Sequence, residues 1–575
     1  MAENAATKEV INALVKALGN EDSYSRSRAF YALGKLGEKA ATKEALDALV
    51  KALGNQDSYF RSRACKALAK ISEKATTKEV IDALVQALGN HNDDVRSRAC
   101  YALGKMGEKA ASIELIDALV NVVGYQDPLA CASACEALGE MAENAATKEV
   151  IDALVKALGY EDSYCRSRAC YALGKMAKKA ARNEVIDALV NVVGDQDTVA
   201  CARACEALGE MAENAATKEV INALVKALGN EDSYSRSRAF YALGKLGEKA
   251  ATKEALDALV KALGNEDSYF RSRACKALAK ISEKATTKEV IDALVQALGN
   301  HNDDVRSRAC YALGKMAKKA ARNEVIDALV NVVGDQDTVA CARACEALGE
   351  MAENAATKEV INALVKALGN EDSYSRSRAW YALGKMGEKA STKEVIDAVV
   401  KALGNHIYDV RCRACYALGK MGEKAATKEV IEALVNVVGD RNSLVSMDAC
   451  EALGEIGVKA ATKEVIDALV QALGNHNDDV RNKVMKAYVD TEIAELVSVI
   501  ILLAIRRGVA ITILENTIII YGSEDPVELG FNSSGMRERL LKAFSNQRDI
   551  LMLSSQEQSG YEQELSVTSA ICSVM

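Results

Sequence analysis

The tripeptide Ala-Leu-Gly returns along this chain with a step of 35 residues, and that step constrains the fold more than any other feature. Leu33-Gly34, Leu103-Gly104, Leu138-Gly139 and Leu173-Gly174 all lie on it, and the series runs to Leu453-Gly454. Phased from Ala6, repeats begin at 6, 41, 76 and onward to 461, so 14 × 35 = 490 residues end at 495. Periods of this size belong to stacks of small supersecondary units, none of which can bury its apolar surface alone. The copies are barely diverged: residues 166–239 recur unchanged at 306–379, and 1–110 recur at 211–320 with three substitutions. Such blocks indicate recent duplication. They overrule the estimate of about four domains that length alone suggests.

Two prolines in 575 residues point to an all-α chain. The eleventh repeat, residues 356–390, shows how each repeat makes two helices. Thr357 is placed to cap the first helix, and Glu359 lies in its first turn, where the helix dipole favours an anion. Ile361, Leu364, Val365 and Leu368 fall on one helical face, and Gly369 follows where a left-handed residue would close the helix. Asn370-Glu371-Asp372-Ser373 then forms a turn and caps a second helix. In the third repeat that second helix puts Val95, Ala99, Ala102, Leu103 and Met106 on one face before Gly107 ends it. A glycine inside a helix, as at Gly104, costs about 1 kcal/mol relative to alanine. Its recurrence predicts close helix approach.

The run Asp93–Gly107, Asp-Asp-Val-Arg-x-x-Ala-x-x-Ala-Leu-Gly-Lys-Met-Gly, resembles HEAT-like repeats of the phycobilisome-lyase type. The resemblance spans 490 of 575 residues and implies an α-α superhelix, or solenoid, of about 14 repeats whose second helices line a concave face. It also implies a ladder between repeats, with Asp93 or Asp94 and Arg96 as its members in this sequence. Cys131, Cys201, Cys341 and Ser446 replace that arginine in the fourth, sixth, tenth and thirteenth repeats, where the ladder should break.

Those four repeats form a second class. They carry Glu136/Glu140, Glu206/Glu210, Glu346/Glu350 and Glu451/Glu455 where most others have Tyr and Lys, as in Tyr101/Lys105 and Tyr171/Lys175. Like charges four residues apart on a helix repel by a few tenths of a kcal/mol. Lysines of neighbouring repeats, such as Lys175 and Lys245 around Glu210, should offset that repulsion. One reading is a solvated charge ladder between repeats. The other is a partner surface built from Tyr31, Tyr101, Tyr171, Tyr241, Tyr311, Tyr381 and Tyr416 between alternating charges. The two are compatible.

Ten of the 16 cysteines, from Cys65 and Cys100 to Cys450, share one place in the repeat, which Phe30, Phe240 and Trp380 occupy elsewhere. That marks an apolar packing position. Equivalent sites on stacked helices lie roughly 10 Å apart, beyond disulfide reach, so buried free thiols in a reducing compartment are expected. Cys412-x-x-Cys415 has redox-like spacing but falls within a helix. His91, His301, His406 and His476 all sit in the turn between helices. Deoxyhypusine hydroxylase also uses HEAT-like repeats, yet the His-Glu pairs of its di-iron site are missing from this chain. No bilin-lyase residue can be assigned, and there is no phosphate loop or nucleophile elbow. We therefore expect no catalytic, cofactor or metal residues.

The formal net charge of −8 disfavours a nucleic-acid partner that reads overall charge. The expectation is a monomeric, cytoplasmic scaffold holding a protein or peptide in its concave groove; the alternative class is a HEAT-like hydroxylase or lyase. Residues 1–495 would be the array, 496–552 a cap or small separate segment, and 553–575 a disordered tail. The start, Met1-Ala2-Glu3-Asn4, falls mid-repeat and has no apolar leader, so either a preceding part is missing or the first helix pair frays. Leu496–Ile505 is apolar but too short to span a bilayer. Ala510–Leu514 and Thr517–Tyr521 read as a small hairpin, and Met536–Phe544 as a helix. The final Cys572-Ser573-Val574-Met575 fits a prenylation box, with Met favouring farnesyl; the competing reading is a free C-terminus. A membrane partner is expected only if Cys572 carries that lipid.

Overall fold

The computed structural model describes residues 7–125, 127–460 and 462–472, then 479–480, 483–484, 510–513, 517–521 and 526–530. The chain divides into two compact bodies, Met1–Ala293 and Leu294–Met575. Both are built from the same helical pair, so the all-α repeat fold expected from the sequence is the fold observed. In the first repeat the pair is Lys8–Leu18 and Ser23–Leu36, followed by a single 3-10 turn, Gly37–Ala40. In the eleventh it is Lys358–Ala367, Ser373–Met386 and Gly387–Ala390.

The caps are those the sequence specifies. Thr357 accepts from the Val360 amide at 3.3 Å, and Asp372 accepts from the Ser375 amide at 2.7 Å. Each satisfies an amide that the helix itself leaves unpaired. Arg182 and Arg322 stand at the first-helix cap position in their repeats and provide no such bond. Val95, Ala99, Ala102, Leu103 and Met106 are fully buried, so each second helix is the core element of its repeat.

The left-handed residue is not where the sequence suggested. First helices end on glycines of ordinary conformation, such as Gly54 at φ −84° and Gly159 at φ −89°, and Gly369 is likewise outside the left-handed region. The positive φ comes one element later, at Gly387 (φ 57°), where the second helix turns sharply into the 3-10 turn. Ala352 holds the equivalent place in its repeat at φ 50° and ψ −131°, a sparsely populated conformation for a residue with a Cβ that costs about 1–3 kcal/mol.

Close helix approach is confirmed, and it is graded. A methyl group on Gly104 would lie 3.0 Å from the Ala137 Cα, and one on Gly209 would lie 2.9 Å from that of Ala242. In the C-terminal body the same holds for Gly314 against Ala347 at 3.0 Å and Gly349 against Ala382 at 2.9 Å. The distance opens to 3.6 Å at Gly34–Ala67 and Gly244–Ala277, and to 3.5 Å at Gly384–Ala417. The three wide junctions are those with Phe30, Phe240 or Trp380 four residues before the glycine; the tight ones have Cys100, Cys205, Cys310 and Cys345 there. Phe30 and Phe240 also face second aromatics, Phe60 and Phe270, with ring centroids 6.2 Å apart in each pair. The spacing of the second helices thus tracks the side chain at the shared cysteine position.

The described cysteines are free, and all but the half-buried Cys412 are buried. Burial pushes the Cys65 and Cys450 thiols up to about 12. Near the C-terminus β1 (Ala510–Ile513) pairs antiparallel with β2 (Thr517–Tyr521), forming the expected hairpin. A third strand, β3 (Pro526–Gly530), adds to β2 with Thr517 opposite Gly530; a proline at its start and a glycine at its end leave only Val527-Glu528-Leu529 as a strand signal. The stretches 496–505, 536–544 and 553–575, with Cys572, lie outside the described residues.

Candidate interaction surface

Positions four, seven and eleven residues apart share a helical face, and on the second helices that face points outward. In the first repeat it carries Tyr24, Arg28, Tyr31 and Lys35, all exposed. In the second it carries Tyr59, Arg63, Lys66 and Lys70, and in the third Asp94, Arg98, Tyr101 and Lys105. Sequence reasoning found the lower half, the Tyr/Lys and Glu/Glu positions. It missed the upper half, which extending the same helical stripe upstream by one and two turns would have reached.

The predicted tyrosines are not equivalent. Tyr31 and Tyr101 are 52% and 46% exposed, and Tyr416 is 37% exposed, whereas Tyr171, Tyr241, Tyr311 and Tyr381 are half-buried. The difference follows from the neighbouring repeats. Tyr171 donates to Glu140 at 2.8 Å, Tyr381 to Glu350 at 2.6 Å, and Tyr241 to Glu210. Burial, together with the Glu140 carboxylate, pushes Tyr171 up to about 12. Tyr311 has the Arg343 guanidinium 5.1 Å from its ring centre.

The glutamates are similarly engaged. Arg168 lies 3.5 Å from Glu136, Arg203 and Arg238 hold Glu206 at 2.8 and 3.1 Å, and Arg343 holds Glu346 at 2.6 Å. Lys483 reaches Glu451 at 2.6 Å and Lys245 reaches Glu210 at 3.5 Å. A charge ladder between repeats is therefore present along this ridge. It consumes most of the acidic groups.

The arginine ladder needs correction. Asp93 pairs with Arg96 inside its own repeat, and Asp94 pairs with Arg98 at 2.9 Å while accepting from Ser62 at 2.5 Å. The rung between repeats instead joins Arg96 to Asp127 at 3.3 Å. Its counterparts are Arg166–Asp195 and Arg306–Asp335, both at 2.6 Å, and Arg411–Asp440 at 2.8 Å. Every one of these acceptors belongs to a Glu-class repeat, the class that lacks the arginine. Those repeats interrupt the ladder as donors, as expected, while terminating it as acceptors. Where the arginine is missing, Cys201 and Cys341 donate to the Val193 and Val333 carbonyls at 3.1 Å, and Ser446 donates to Val438 at 2.6 Å.

A polar cleft in the C-terminal body contains His301, Asp303, Arg306 and Asp335. Arg306 is already bonded to both aspartates and to the Asn300 and His301 carbonyls, so the cleft is compensated internally. Among the described residues no group of three or more His, Cys, Asp or Glu side chains could hold a metal ion. No described helix is long and apolar enough to cross a membrane.

A family model described as HEAT repeats matches residues 46–123, 116–209, 186–265, 256–348, 326–406 and 396–488. No curated protein sequence matches the chain. Among solved structures, importin beta is similar with a TM-score of 0.60 and 16% identity, covering 86% of this chain and 75% of its own. Kap95p, described in complex with RanGDP, is similar with a TM-score of 0.59 and 13% identity, covering 93% and 77%. An engineered protein is 25% identical over 60% of this chain and 99% of its own, with a TM-score of 0.41. At these identities the likeness to Kap95p and importin beta is one of fold.

Proposed function

This chain belongs to the HEAT-repeat family, and from that premise we propose that it is a non-catalytic scaffold holding a protein or peptide partner against its second-helix ridge. The observation that carries the reading is the exposure of Tyr31, Tyr101 and Tyr416 on the second-helix ridge. Tyrosine contributes large contact area at low entropic cost, which suits it to interfaces. Kap95p, a similar fold, has a protein partner in RanGDP, and the proposal extends that mode of use to this chain. The ridge would line a concave groove, and the chain would act as a monomer in the cytoplasm.

The finer assignments belong to the same proposal. The phycobilisome-lyase qualifier rests on the Asp93–Gly107 motif. The array would occupy 1–495, with 496–552 as its cap and 553–575 as a tail ending in a farnesylated Cys572. One lipid chain would give only reversible membrane contact. The combined variant Tyr31→Ala, Tyr101→Ala and Tyr416→Ala should lose the bound partner in affinity capture from native cells, with helicity unchanged. Undiminished capture, or stoichiometric iron in the purified protein, would overturn the scaffold reading.

A further inference from the structure

The ridge of the N-terminal body changes character between the third and fourth repeats. From the fourth to the seventh repeat, acidic side chains meet the basic ones: Glu136 has Arg168, Glu206 has Arg203 and Arg238, and Glu210 has Lys245. In the first three repeats the stripe holds Arg28, Lys35, Arg63, Lys66, Lys70, Arg98 and Lys105 against one carboxylate, Asp94. Asp94 is taken by Arg98 at 2.9 Å. The other six cations form no ion pair among the described residues, and Lys66 and Lys70 are exposed.

Exposed tyrosines interleave with these cations. Arg28 donates to the Tyr24 hydroxyl at 2.7 Å, and Arg63 donates to that of Tyr59 at 2.9 Å. Bonds from Ser27 and Arg63 hold the Tyr59 phenol below its usual range. The rings and guanidinium groups therefore form a pre-ordered surface, whose entropy cost is already met before a partner arrives.

We propose that the second-helix face of the first three repeats is a docking strip for an extended acidic peptide in which carboxylates alternate with apolar side chains. The proposal rests on the scaffold reading and names its partner's chemistry. Charge complementarity selects the carboxylates, and the exposed tyrosine edges take the apolar side chains. Second helices stacked about 10 Å apart make the strip roughly 20–30 Å long. An extended chain covers that in about six to nine residues.

A nucleic acid is the competing polyanion, and two features disfavour it. Base stacking needs open ring faces, yet Arg28, Lys35, Arg63 and Lys105 lie 4.9–5.7 Å from the ring centres of Tyr24, Tyr31, Tyr59 and Tyr101. The strip also ends at Glu136 and Glu140, which repel a phosphate backbone continuing past it.

The test is fluorescence anisotropy on the full chain with a labelled peptide of about eight residues alternating Glu with Leu. Because residues 1–110 recur at 211–320, the charge reversal is made in both copies: Lys66→Glu, Lys70→Glu, Lys276→Glu and Lys280→Glu. Expected are saturable binding, affinity that falls as salt rises, and at least about a ten-fold loss in the variant. Lys43→Glu with Lys51→Glu, exposed on a first helix, should leave binding unchanged. Equal binding of a Lys-Leu peptide, no loss in a variant of unchanged helicity, or tighter binding of a single-stranded oligonucleotide would each overturn the proposal. If the acidic peptide fails while tyrosine-dependent capture of a partner persists, the charge assignment falls and the scaffold reading stands.

Discussion

The junction between the ninth and tenth repeats and that between the seventh and eighth carry the same Ala-Leu-Gly motif, yet they ask different things of it. At the first, Cys310 lets the second helices close until a methyl on Gly314 would meet the Ala347 Cα at 3.0 Å. At the second, Phe240 packs against Phe270, and Gly244 stands 3.6 Å from Ala277 by the same measure. The glycine is a necessity in one junction and only a helix-weakening residue in the other. Closely related repeats therefore space their second helices differently, and the difference follows the bulk of the buried side chain four residues before the glycine.

The largest expected effect breaks that symmetry directly. Gly314→Ala should overpack its junction and cost about 1–3 kcal/mol. Gly244→Ala has room for its methyl and gains helix propensity, so it should be neutral or stabilising by up to about 1 kcal/mol. Because a repeat array transmits little beyond its nearest neighbours, local hydrogen exchange over Asp303–Met316 and Ser233–Leu246 is the appropriate readout. Loss of protection of equal size in both helices would show that the two junctions are alike.

A smaller effect sharpens the comparison from the backbone side. Ala352→Gly relieves an alanine held at φ 50° and should raise local stability by about 1 kcal/mol. Gly387→Ala at φ 57° should lower it by a similar amount. Identical exchange rates in variant and parent over Ala352–Ala355 and Gly387–Ala390 would contradict the assignment.

These contrasts separate what was legible in the sequence from what was not. The period, the Thr357 and Asp372 caps and the close approach at Gly104 were legible, because each depends on one residue type at a fixed offset. The acceptors of the arginine ladder were not. Arg96 has Asp93 and Asp94 nearby in sequence, and only three-dimensional stacking brings Asp127 to it. The cysteine position was read correctly as apolar packing, but its control of helix spacing required the distances at ten junctions. Half of the candidate surface was overlooked for a different reason. Tyr24 and Arg28 fall on the second helix, which begins at Ser23, but the outer stripe was followed only from the Tyr31 position downward, where the Tyr/Lys and Glu/Glu contrast between repeats draws attention.

The claim that side-chain bulk at the cysteine position sets the junction is tested most directly by a double-mutant cycle on Cys310→Phe and Gly314→Ala. Local stability of Asp303–Met316 would be read by hydrogen exchange in the full chain. In the parent background Gly314→Ala should cost about 1–3 kcal/mol. In the Cys310→Phe background the aromatic should already hold the helices apart, and the same substitution should cost less than about 0.5 kcal/mol, giving a coupling of roughly 1 kcal/mol or more. An identical cost in both backgrounds would mean that the spacing is set elsewhere in the repeat, and the account would be wrong.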